Sequence, residues 1–447
     1  MQSRRDHLHA YQFATGRLAS ALVSGDPGTG EAPMRRSGLG SMFGVFTAVL
    51  LILVSVVYGV IKPVDNTSWK KAGALVVEKE TGNRYIYVGG VLHPTVNYAS
   101  ALLLAGGSTA VQQVSRSSMD DVPRGAPLGI PGAPDDVAQP SALLTGSWTD
   151  CLRAGSGAVE ALDFAPRSAR EVPDNARVFV SGPDGTRYVL WRNTKYPVDG
   201  RSSAVALGLD TEQPVSAPSA WLDALPTGTT IAAAHIPEAG NAGGTLGGTA
   251  VRYGQLFRTV VSGADHFYVL RHDGIASLTA TEAALLATAP GGKEPRRVSP
   301  NDIAAVRASS DNSLLHRIPD LLKGTDATAD AGSALCLLRA VDHSGVRSTV
   351  VRETGRVTAA GTRVIVPPAH AVLAVPPKKP GSYDTPDPCL ITEQGVKYPL
   401  AGQAVDALGY SGISPRTLPA ATLDLIPTGP QLSRARATAA VAIQGGS

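Results

Sequence analysis

Cysteine is scarce in this sequence: three residues occur in a chain of 447. Three cysteines are too few for a disulfide-dense secreted scaffold. Cys151, Cys336 and Cys389 form no C-x-x-C pair, which argues against a structural zinc site. Because the number is odd, at least one thiol is left over unless it pairs between two chains.

Charge is also sparse. Asp, Glu, Lys and Arg make up 17% of the residues, and the net charge is +3. Soluble proteins contain about 25% charged residues. A nearly balanced charge gives no concentrated basic face, so we expect no nucleic-acid partner. The 48 glycines and 33 prolines predict many turns and short elements, and they disfavour long helical bundles.

Motifs of nucleophilic, metal and nucleotide chemistry are missing as well. The sequence contains neither H-E-x-x-H nor G-x-S-x-G. The nearest approach to a P-loop is residues 25–32, where Glu31 and Ala32 replace the lysine and the hydroxyl residue that the motif requires. We therefore predict no catalytic residues, no cofactor and no metal, and we interpret residues 25–32 as a flexible link.

One long uncharged stretch is present, from Ser37 to Ile61. Its dense apolar part covers residues 42–61, and a helix of about 20 residues spans the roughly 30 Å of a bilayer's hydrocarbon layer. The sequence therefore predicts a single transmembrane helix at 42–61 that acts as a signal anchor. Basic residues flank it on both sides, so charge alone leaves its orientation almost undecided.

The tail before this helix carries an apolar stripe. Leu8, Tyr11, Leu18 and Leu22 recur at steps of three, seven and four residues, which predicts an amphipathic helix over about 6–24. Two interpretations of the stripe stay open. The helix lies on the anionic headgroups of its own membrane, or it docks on a cytosolic partner.

Four stretches beyond the membrane segment share one pattern. Each has a turn, an aromatic-centred strand, a second strand or turn, and a run of Ala and Leu, which predicts a β-hairpin followed by a short helix. The central aromatic residues are Tyr85, Tyr188, Tyr268 and Tyr398. A proline-containing element follows each stretch, at 121–125, 223–228, 317–320 and 424–429. Because the spacing between copies is irregular, a regular solenoid or propeller is not supported.

The remaining segments complete an α+β fold. Residues 126–170 and 330–375 do not match the pattern and are predicted to pair into a central β-rich domain. We interpret 366–388 as a linker and 240–248 as a flexible loop. The predicted division is a tail (1–41), the transmembrane helix (42–61), module 1 (62–125), the first central segment (126–170), module 2 (171–240), module 3 (241–329), the second central segment (330–375), and a linker with module 4 (376–447).

Three features together resemble the EccB family, the single-pass component of the type VII (ESX) secretion membrane complex of mycobacteria and related actinobacteria. The first is the tail, with HLHAYQF at 7–13 and ALV at 21–23. The second is LHPTVN at 92–97 followed by ALLL at 101–104. The third is the closing region with LITEQGVKYPL at 390–400 and LIPTGP at 425–430. The resemblance covers nearly the whole chain, although the C-terminus after Pro430 is shorter than in some relatives.

The resemblance implies a cytoplasmic N-terminus and an elongated domain on the outer side of the cytoplasmic membrane. It implies four repeat modules around the central domain in a quasi-twofold arrangement. It further implies a disulfide between Cys151 and Cys336, which leaves Cys389 as the unpaired thiol. The partners it implies are the other membrane subunits EccC, EccD and EccE, further copies of the chain, membrane lipid, and the mycosin protease as a candidate.

The leading hypothesis is therefore a structural and assembly subunit of the secretion complex that supports protein export across the cell envelope. A first alternative is a membrane-anchored module that binds cell-wall glycan through the four module tyrosines, although their central place in strands favours core packing. A second alternative is an ATPase, the label sometimes given to this family.

Overall fold

The computed structural model describes residues 4–24, 35–61, 67–107, 111–153, 159–327, 332–342, 345–358, 364–378 and 386–441. The chain divides into two compact units, Met1–Ser68 and Trp69–Ser447. The predicted link at 25–32 lies outside the described residues.

The described portion of the first unit contains two α-helices, α1 (Arg4–Ser24) and α2 (Arg35–Ile61), and the start of a short 3-10 helix (Thr67–Trp69). In α2 the 18-residue window Gly40–Val57 is long and apolar enough to cross a membrane, and none of it is buried within the protein. A helix satisfies its own backbone hydrogen bonds, which lipid cannot do. The helix begins several residues before the predicted start at Met42.

The second unit opens with a four-stranded sheet in the order β3-β2-β1-β4, in which β1 and β4 are parallel. Asn97 caps the helix between β3 and β4 by accepting a hydrogen bond from the Ser100 N–H, and Gly106 ends it in the left-handed region. The elements are β1 (Ala74–Glu78), β2 (Arg84–Val88), β3 (Val91–Pro94), α3 (Tyr98–Ala105) and β4 (Gln112–Val114).

Three strands of a six-stranded sheet, completed later in the chain, follow, and after them comes the second sheet, a copy of the first strand order. The order of this copy is β10-β9-β8-β11. Its first and fourth strands in chain order, β8 and β11, are again parallel neighbours. The elements are β5 (Trp148–Arg153), β6 (Val159–Asp163), β7 (Arg170–Glu171), β8 (Ala176–Ser181), β9 (Arg187–Trp191), β10 (Thr194–Val198), α4 (Gly200–Ala206), β11 (Val215–Ser216) and α5 (Ser219–Asp223).

The third sheet of this order, β16-β15-β14-β17, is preceded by an additional two-stranded hairpin. The predicted flexible loop at 240–248 is wrong, because Ala242–Leu246 is a strand of that hairpin; its glycines allow a register shift within the pair. The elements are β12 (Ala242–Leu246), β13 (Thr249–Arg252), β14 (Leu256–Val261), β15 (Ala264–Arg271), β16 (Gly274–Leu278), α6 (Ala280–Thr288), β17 (Arg296–Arg297) and α7 (Pro300–Ala304).

The next strands complete a six-stranded sheet in the order β21-β6-β5-β19-β20-β7, called here the central sheet. It joins chain segments that lie nearly 200 residues apart in sequence, since β5 pairs with β19. Its strands in this part of the chain are β19 (Ser333–Asp342), β20 (Gly345–Thr354) and β21 (Val364–Ile365). The preceding strand, β18 (Thr325–Asp326), pairs with β8 of the second sheet instead.

The last sheet, β24-β23-β22-β25, has the same strand order as the first, second and third. Its first strand, Val372–Val375, falls in the segment predicted as a linker, so that prediction is wrong at these residues; residues 379–385 of the segment lie outside the described portion of the chain. The elements are β22 (Val372–Val375), β23 (Cys389–Ile391), β24 (Lys397–Pro399), α8 (Ala404–Ala407), β25 (Arg416–Thr417), α9 (Ala420–Asp424) and α10 (Arg434–Ala437).

The third strand of each of these four sheets is covered by a short segment that pairs with it through an isolated bridge. The bridges are Leu92 to Arg124, Lys195 to Thr227, Ile275 to Ala308 and Lys397 to Thr428. In the third sheet the covering segment is therefore around Ala308, and the predicted equivalent at 317–320 is wrong. The bridges protect an edge strand that would otherwise expose unpaired backbone groups.

The pairing of strands within these sheets also corrects one predicted equivalence. Tyr85 pairs with Pro94 and Tyr188 with Pro197, whereas in the fourth sheet Pro399 pairs with Cys389. The predicted match of Tyr398 to Tyr85 and Tyr188 is therefore wrong by one strand. Tyr398 follows Lys397 in the third strand of its sheet, and its counterpart is Tyr196, which follows Lys195.

The hydrophobic cores join these sheets in pairs. One core contains Ile86 and Leu103 from the first sheet region together with Leu390 and Tyr398 from the fourth. A second core joins the second and third regions through the helices α4 and α6 and includes Leu207 and Leu285. The segment after Gly125, predicted as central, contributes Ile130 to the first of these cores.

Candidate functional site

The predicted docking helix α1 presents its stripe to solvent. Leu8, Tyr11, Leu18 and Leu22 are 58%, 71%, 63% and 83% exposed. At 3.6 residues per turn the four lie within an arc of about 80°. The exposed residues Phe13 and Val23, which the sequence pattern of the stripe does not include, lie outside that arc. Large apolar side chains grouped on one face indicate a surface that meets a partner or a lipid.

Cys151 and Cys336 are brought directly opposite each other in the antiparallel pair β5 and β19, and a disulfide joins them. Both are fully buried, and 185 positions separate them in sequence. The closed loop contains the whole of the second and third sheets. The bond therefore ties the two halves of the central sheet across a long stretch of chain.

A buried carboxyl group lies beside this disulfide. Glu353 in β20 is 1% exposed, and its Oε2 accepts a 2.5 Å hydrogen bond from the Thr149 hydroxyl. Burial raises the pKa of Glu353 to about 7; the Thr149 hydrogen bond opposes the rise, and the neighbouring Asp163 carboxyl adds to it. Near neutral pH the side chain therefore changes between a neutral and a charged form inside the core.

The other face of the central sheet carries a second acidic group. Successive residues of a strand point to opposite faces, so Asp150 lies on the face opposite Cys151. Burial, reinforced by the Glu160 carboxylate, raises the pKa of Asp150 to about 7, while Arg339 opposes that shift. The Trp221 indole N–H donates to the Asp150 backbone oxygen at 3.0 Å. This bond ties the short helix α5 to the central sheet.

Metal binding is the one chemistry that the disulfide region suggests by proximity. The sulfurs of Cys151 and Cys336 and a carboxylate oxygen of Glu353 lie within 4.8 Å of one another. Both sulfurs are committed to the disulfide. A disulfide supplies no thiolate, which is the form of cysteine that binds metals, so these residues do not fit a metal centre.

Cys389 is a free, buried thiol in β23. Burial raises its pKa to about 11, with a small opposing effect of Lys397. The thiolate is the nucleophilic form, and this environment suppresses it at neutral pH. Cys389 is therefore a packing residue of the fourth sheet.

Two lysines, the buried Lys195 and the half-buried Lys397, link the third strand of their sheet to the short helix beside it. The Lys195 ammonium donates to the Leu222 carbonyl oxygen at 2.8 Å, and the Lys397 ammonium donates in the same way to the Leu423 carbonyl oxygen. The C-terminal end of a helix carries partial negative charge, so a cation there is stabilising. Sequence analysis missed this pair, although both lysines precede Tyr-Pro.

An apolar helix able to span a bilayer, followed by a sheet-rich unit, defines a class of membrane-anchored protein with a large folded domain. The comparisons identify the family. A sequence model of the EccB family, described as "Type VII secretion system ESX-1, transport TM domain B", matches residues 1–443. The chain belongs to the EccB family of type VII secretion components.

Relatives in mycobacteria match over almost the full chain. The protein named ESX-5 secretion system ATPase EccB5 of Mycobacterium marinum is 27% identical over 476 residues, covering 97% of this chain and 93% of the relative. The protein named ESX-3 secretion system ATPase EccB3 of Mycobacterium tuberculosis is 25% identical over 486 residues, covering 97% and 88%.

Solved structures share the fold. A chain of an intact ESX-5 inner membrane complex aligns with a TM-score of 0.60 at 24% identity, covering 100% of this chain and 97% of that one. A chain of the EccB3 dimer from the ESX-3 core complex aligns with a TM-score of 0.54 at 26% identity, covering 82% and 100%.

Proposed function

We propose that this chain is a structural and assembly subunit of a type VII secretion inner-membrane complex. The observation that carries the proposal is family membership over residues 1–443, combined with one apolar helix among the described residues that is long enough to cross a membrane. A fold neighbour is named as a dimer from an ESX core complex, which supports self-association and contact with other ESX subunits, of the EccC, EccD and EccE type. The mycosin protease stays a predicted partner.

The proposed topology places α1 in the cytoplasm and the sheet-rich unit outside the membrane. The disulfide between Cys151 and Cys336 supports this orientation, because disulfides persist in oxidising compartments. Protease added to intact spheroplasts is expected to digest the region beyond residue 70 and to spare α1. Protection of the large region would overturn the orientation.

We infer that the four sheets with one strand order are repeat modules, arranged with quasi-twofold symmetry around the central sheet. Their common bridge to the third strand supports the repeat. The shared cores, first region with fourth and second with third, support the paired arrangement. The strongest internal match is between the second and fourth modules, which share a lysine that donates to a helix carbonyl, the following Tyr-Pro and a Pro-Thr-Gly segment.

The proposed docking element is the stripe of α1, with a cytoplasmic ESX subunit as its partner. Replacing Leu8 and Leu18 by Glu places two charges on the exposed stripe. The double variant is expected to abolish co-purification of the other subunits after gentle detergent extraction. His9→Glu, which alters the opposite side of the helix surface, is the matched control and is expected to leave the complex intact. An intact complex in the double variant would instead favour binding of α1 to lipid.

ATP hydrolysis is the second candidate function, because the names of the mycobacterial relatives contain the word ATPase. The assay is hydrolysis by the purified full chain with a P-loop enzyme as positive control. The assembly proposal expects no turnover above background. Glycan binding stays an alternative, but the core position of Tyr398, which is 7% exposed, makes that residue unsuitable for stacking on a sugar.

A further inference from the structure

One face of the central sheet supports two separate hydrophobic cores. Alternate residues of a strand share a face, so Trp148, Asp150 and Leu152 of β5 lie together on it. The first core packs this face against the fourth sheet region, and its members include Trp148, Leu162 and Leu423. The second core packs the same face against the second sheet region, and its members include Leu152, Leu337 and Trp221. Asp150 lies between the two cores.

A row of three ionisable side chains crosses the sheet at this boundary. On one side of Asp150, Glu160 of β6 lies opposite Leu152. On the other side, Arg339 of β19 lies opposite Trp148. Glu160 and Arg339 are thus the diagonal neighbours of Asp150, and a long side chain can bridge that separation. The residues Glu160, Asp150 and Arg339 are called here the diagonal row.

The diagonal row is largely buried, and its hydrogen bonds are incomplete. Asp150 is 3% and Arg339 is 6% exposed, while Glu160 is half-buried. Arg339 Nη1 donates to the Ser348 hydroxyl at 2.9 Å. Among the described residues, Asp150 Oδ1 and Arg339 Nε have no hydrogen-bond partner. Buried polar atoms without partners cost stability, so the row weakens the packing where the two cores meet.

The charges of the row balance only while its two carboxyl groups hold one proton between them. Burial raises the pKa of Asp150 and that of Glu160, and the Arg339 guanidinium opposes both shifts. With one proton on the pair, one carboxylate balances the one guanidinium. Once that proton is lost, an uncompensated negative charge stays between two apolar cores, which is unfavourable.

Other charged groups near this face have partners of their own. In the second region the Lys195 ammonium donates to the Leu222 carbonyl oxygen and pairs with Asp223 at 3.2 Å. In the fourth region the Arg416 guanidinium stacks 4.3 Å from the centroid of the Trp148 ring. On β20, Arg352 shares the face of the row but lies opposite Leu335, in the second core. The charged groups that shift the pKa of Asp150 are those of the row itself.

We propose that the diagonal row is a pH-sensitive joint, at which the packing of the second and fourth sheet regions on the central sheet loosens as the pH rises. Opening lets the buried carboxyl pair meet water and release its proton. The protonated pair stabilises the packed form fully below the ordinary pKa of 3.8, and this stabilisation is lost as the pH rises through about 7. The joint is a property of the fold and does not depend on the proposed assembly role.

The test is hydrogen exchange of the purified full chain in detergent, followed by mass spectrometry at pH 6, 7 and 8. Rates are corrected for the intrinsic effect of pH on amide exchange. The helices α5 and α9 report on the joint, because Trp221 and Leu423 belong to the two cores. Since opening releases about one proton up to about pH 7, we expect corrected exchange there to rise about tenfold from pH 6 to pH 8. The strand β15, in the third sheet, is the internal reference and should not change.

Two variants separate the joint from a general loss of stability. Asp150→Asn keeps the shape of the side chain but does not ionise, so the rise at α5 and α9 should disappear. Glu160→Gln leaves Asp150 beside Arg339 without a competing carboxylate. Asp150 then ionises at lower pH, and the rise between pH 6 and pH 8 should again disappear. Glu353→Gln is the matched control, because this buried carboxyl lies on the opposite face of the sheet and its loss should preserve the rise.

Three results would overturn the proposal. The first is equal corrected exchange of α5 and α9 at pH 6 and pH 8 in the natural chain. The second is a rise that persists in both Asp150→Asn and Glu160→Gln. The third is an equally large rise in β15, which would show that the whole chain loosens.

Discussion

Replacing Glu353 by Gln should change how the stability of the protein depends on pH. In the unfolded chain Glu353 loses its proton near its ordinary pKa of 4.5, whereas in the folded core it keeps the proton up to about 7. Between these values ionisation favours the unfolded state. The contribution of Glu353 to stability is therefore fully present below pH 4.5 and is lost as the pH rises through 7.

The size of the effect follows from the pKa difference and the burial. A shift of this size corresponds to about 3 kcal/mol, at about 1.4 kcal/mol per pKa unit. The 1% exposure of Glu353 means that solvent screens little of this energy. Gln has nearly the same shape, can still accept the Thr149 hydrogen bond, and does not ionise. We expect the variant to gain about 3 kcal/mol relative to the natural chain between pH 4.5 and pH 8.

The assay is urea unfolding of the full chain in detergent micelles, followed by tryptophan fluorescence at several pH values. Glu171→Gln is the matched control, because Glu171 lies exposed at the edge of the same sheet. Asp150 continues to titrate in every variant, so the difference between the curves is the quantity to compare. If the curves of the natural chain and Glu353→Gln run parallel across this range, Glu353 is ionised in the fold and the reasoning is refuted.

Two further predictions concern the disulfide and a glycine of a Pro-x-Gly segment. Cys336→Ala should lower the free energy of unfolding by about 2–5 kcal/mol in urea titrations, because it removes the disulfide. Adding reductant to this variant should then have no further effect. Cys389→Ala, which removes the free thiol, is the control and should keep its sensitivity to reductant. Gly228→Ala should destabilise by about 1–3 kcal/mol in the same assay, because its added Cβ would overlap the Tyr196 ring. Gly146→Ala is its control, since a Cβ added at Gly146 meets no atom within 4 Å; a loss as large as that of Gly228→Ala would contradict the explanation.

The Pro-x-Gly segments show how a local motif acquires its meaning from packing. Added Cβ atoms on Gly125, Gly228 and Gly429 would overlap the rings of His93, Tyr196 and Tyr398. In the third sheet, where the covering segment continues with Ser309, the residue after the bridged Ile275 is Ala276. A small side chain in the strand thus permits a side chain in the segment that covers it.

Elements that depend only on neighbouring residues in the chain are predictable from local sequence patterns. The uncharged run predicts α2, the apolar stripe predicts α1, and turn residues beside alternating strands predict hairpins such as Arg84–Val88 with Val91–Pro94. In each case the hydrogen bonds and the apolar pattern lie within about 30 consecutive residues, which is why composition and period suffice.

Features that join distant segments depend on the folded chain and have no local sequence signal. The first strand of each of the four sheets pairs in parallel with a fourth strand beyond a helix, so a short apolar run such as Val372–Val375 gives no local signal of its distant partner. The titration of Glu353 likewise depends on Thr149, which lies 204 positions away. Burial and pKa are set by what the folded chain packs around a group, and no local pattern encodes that environment.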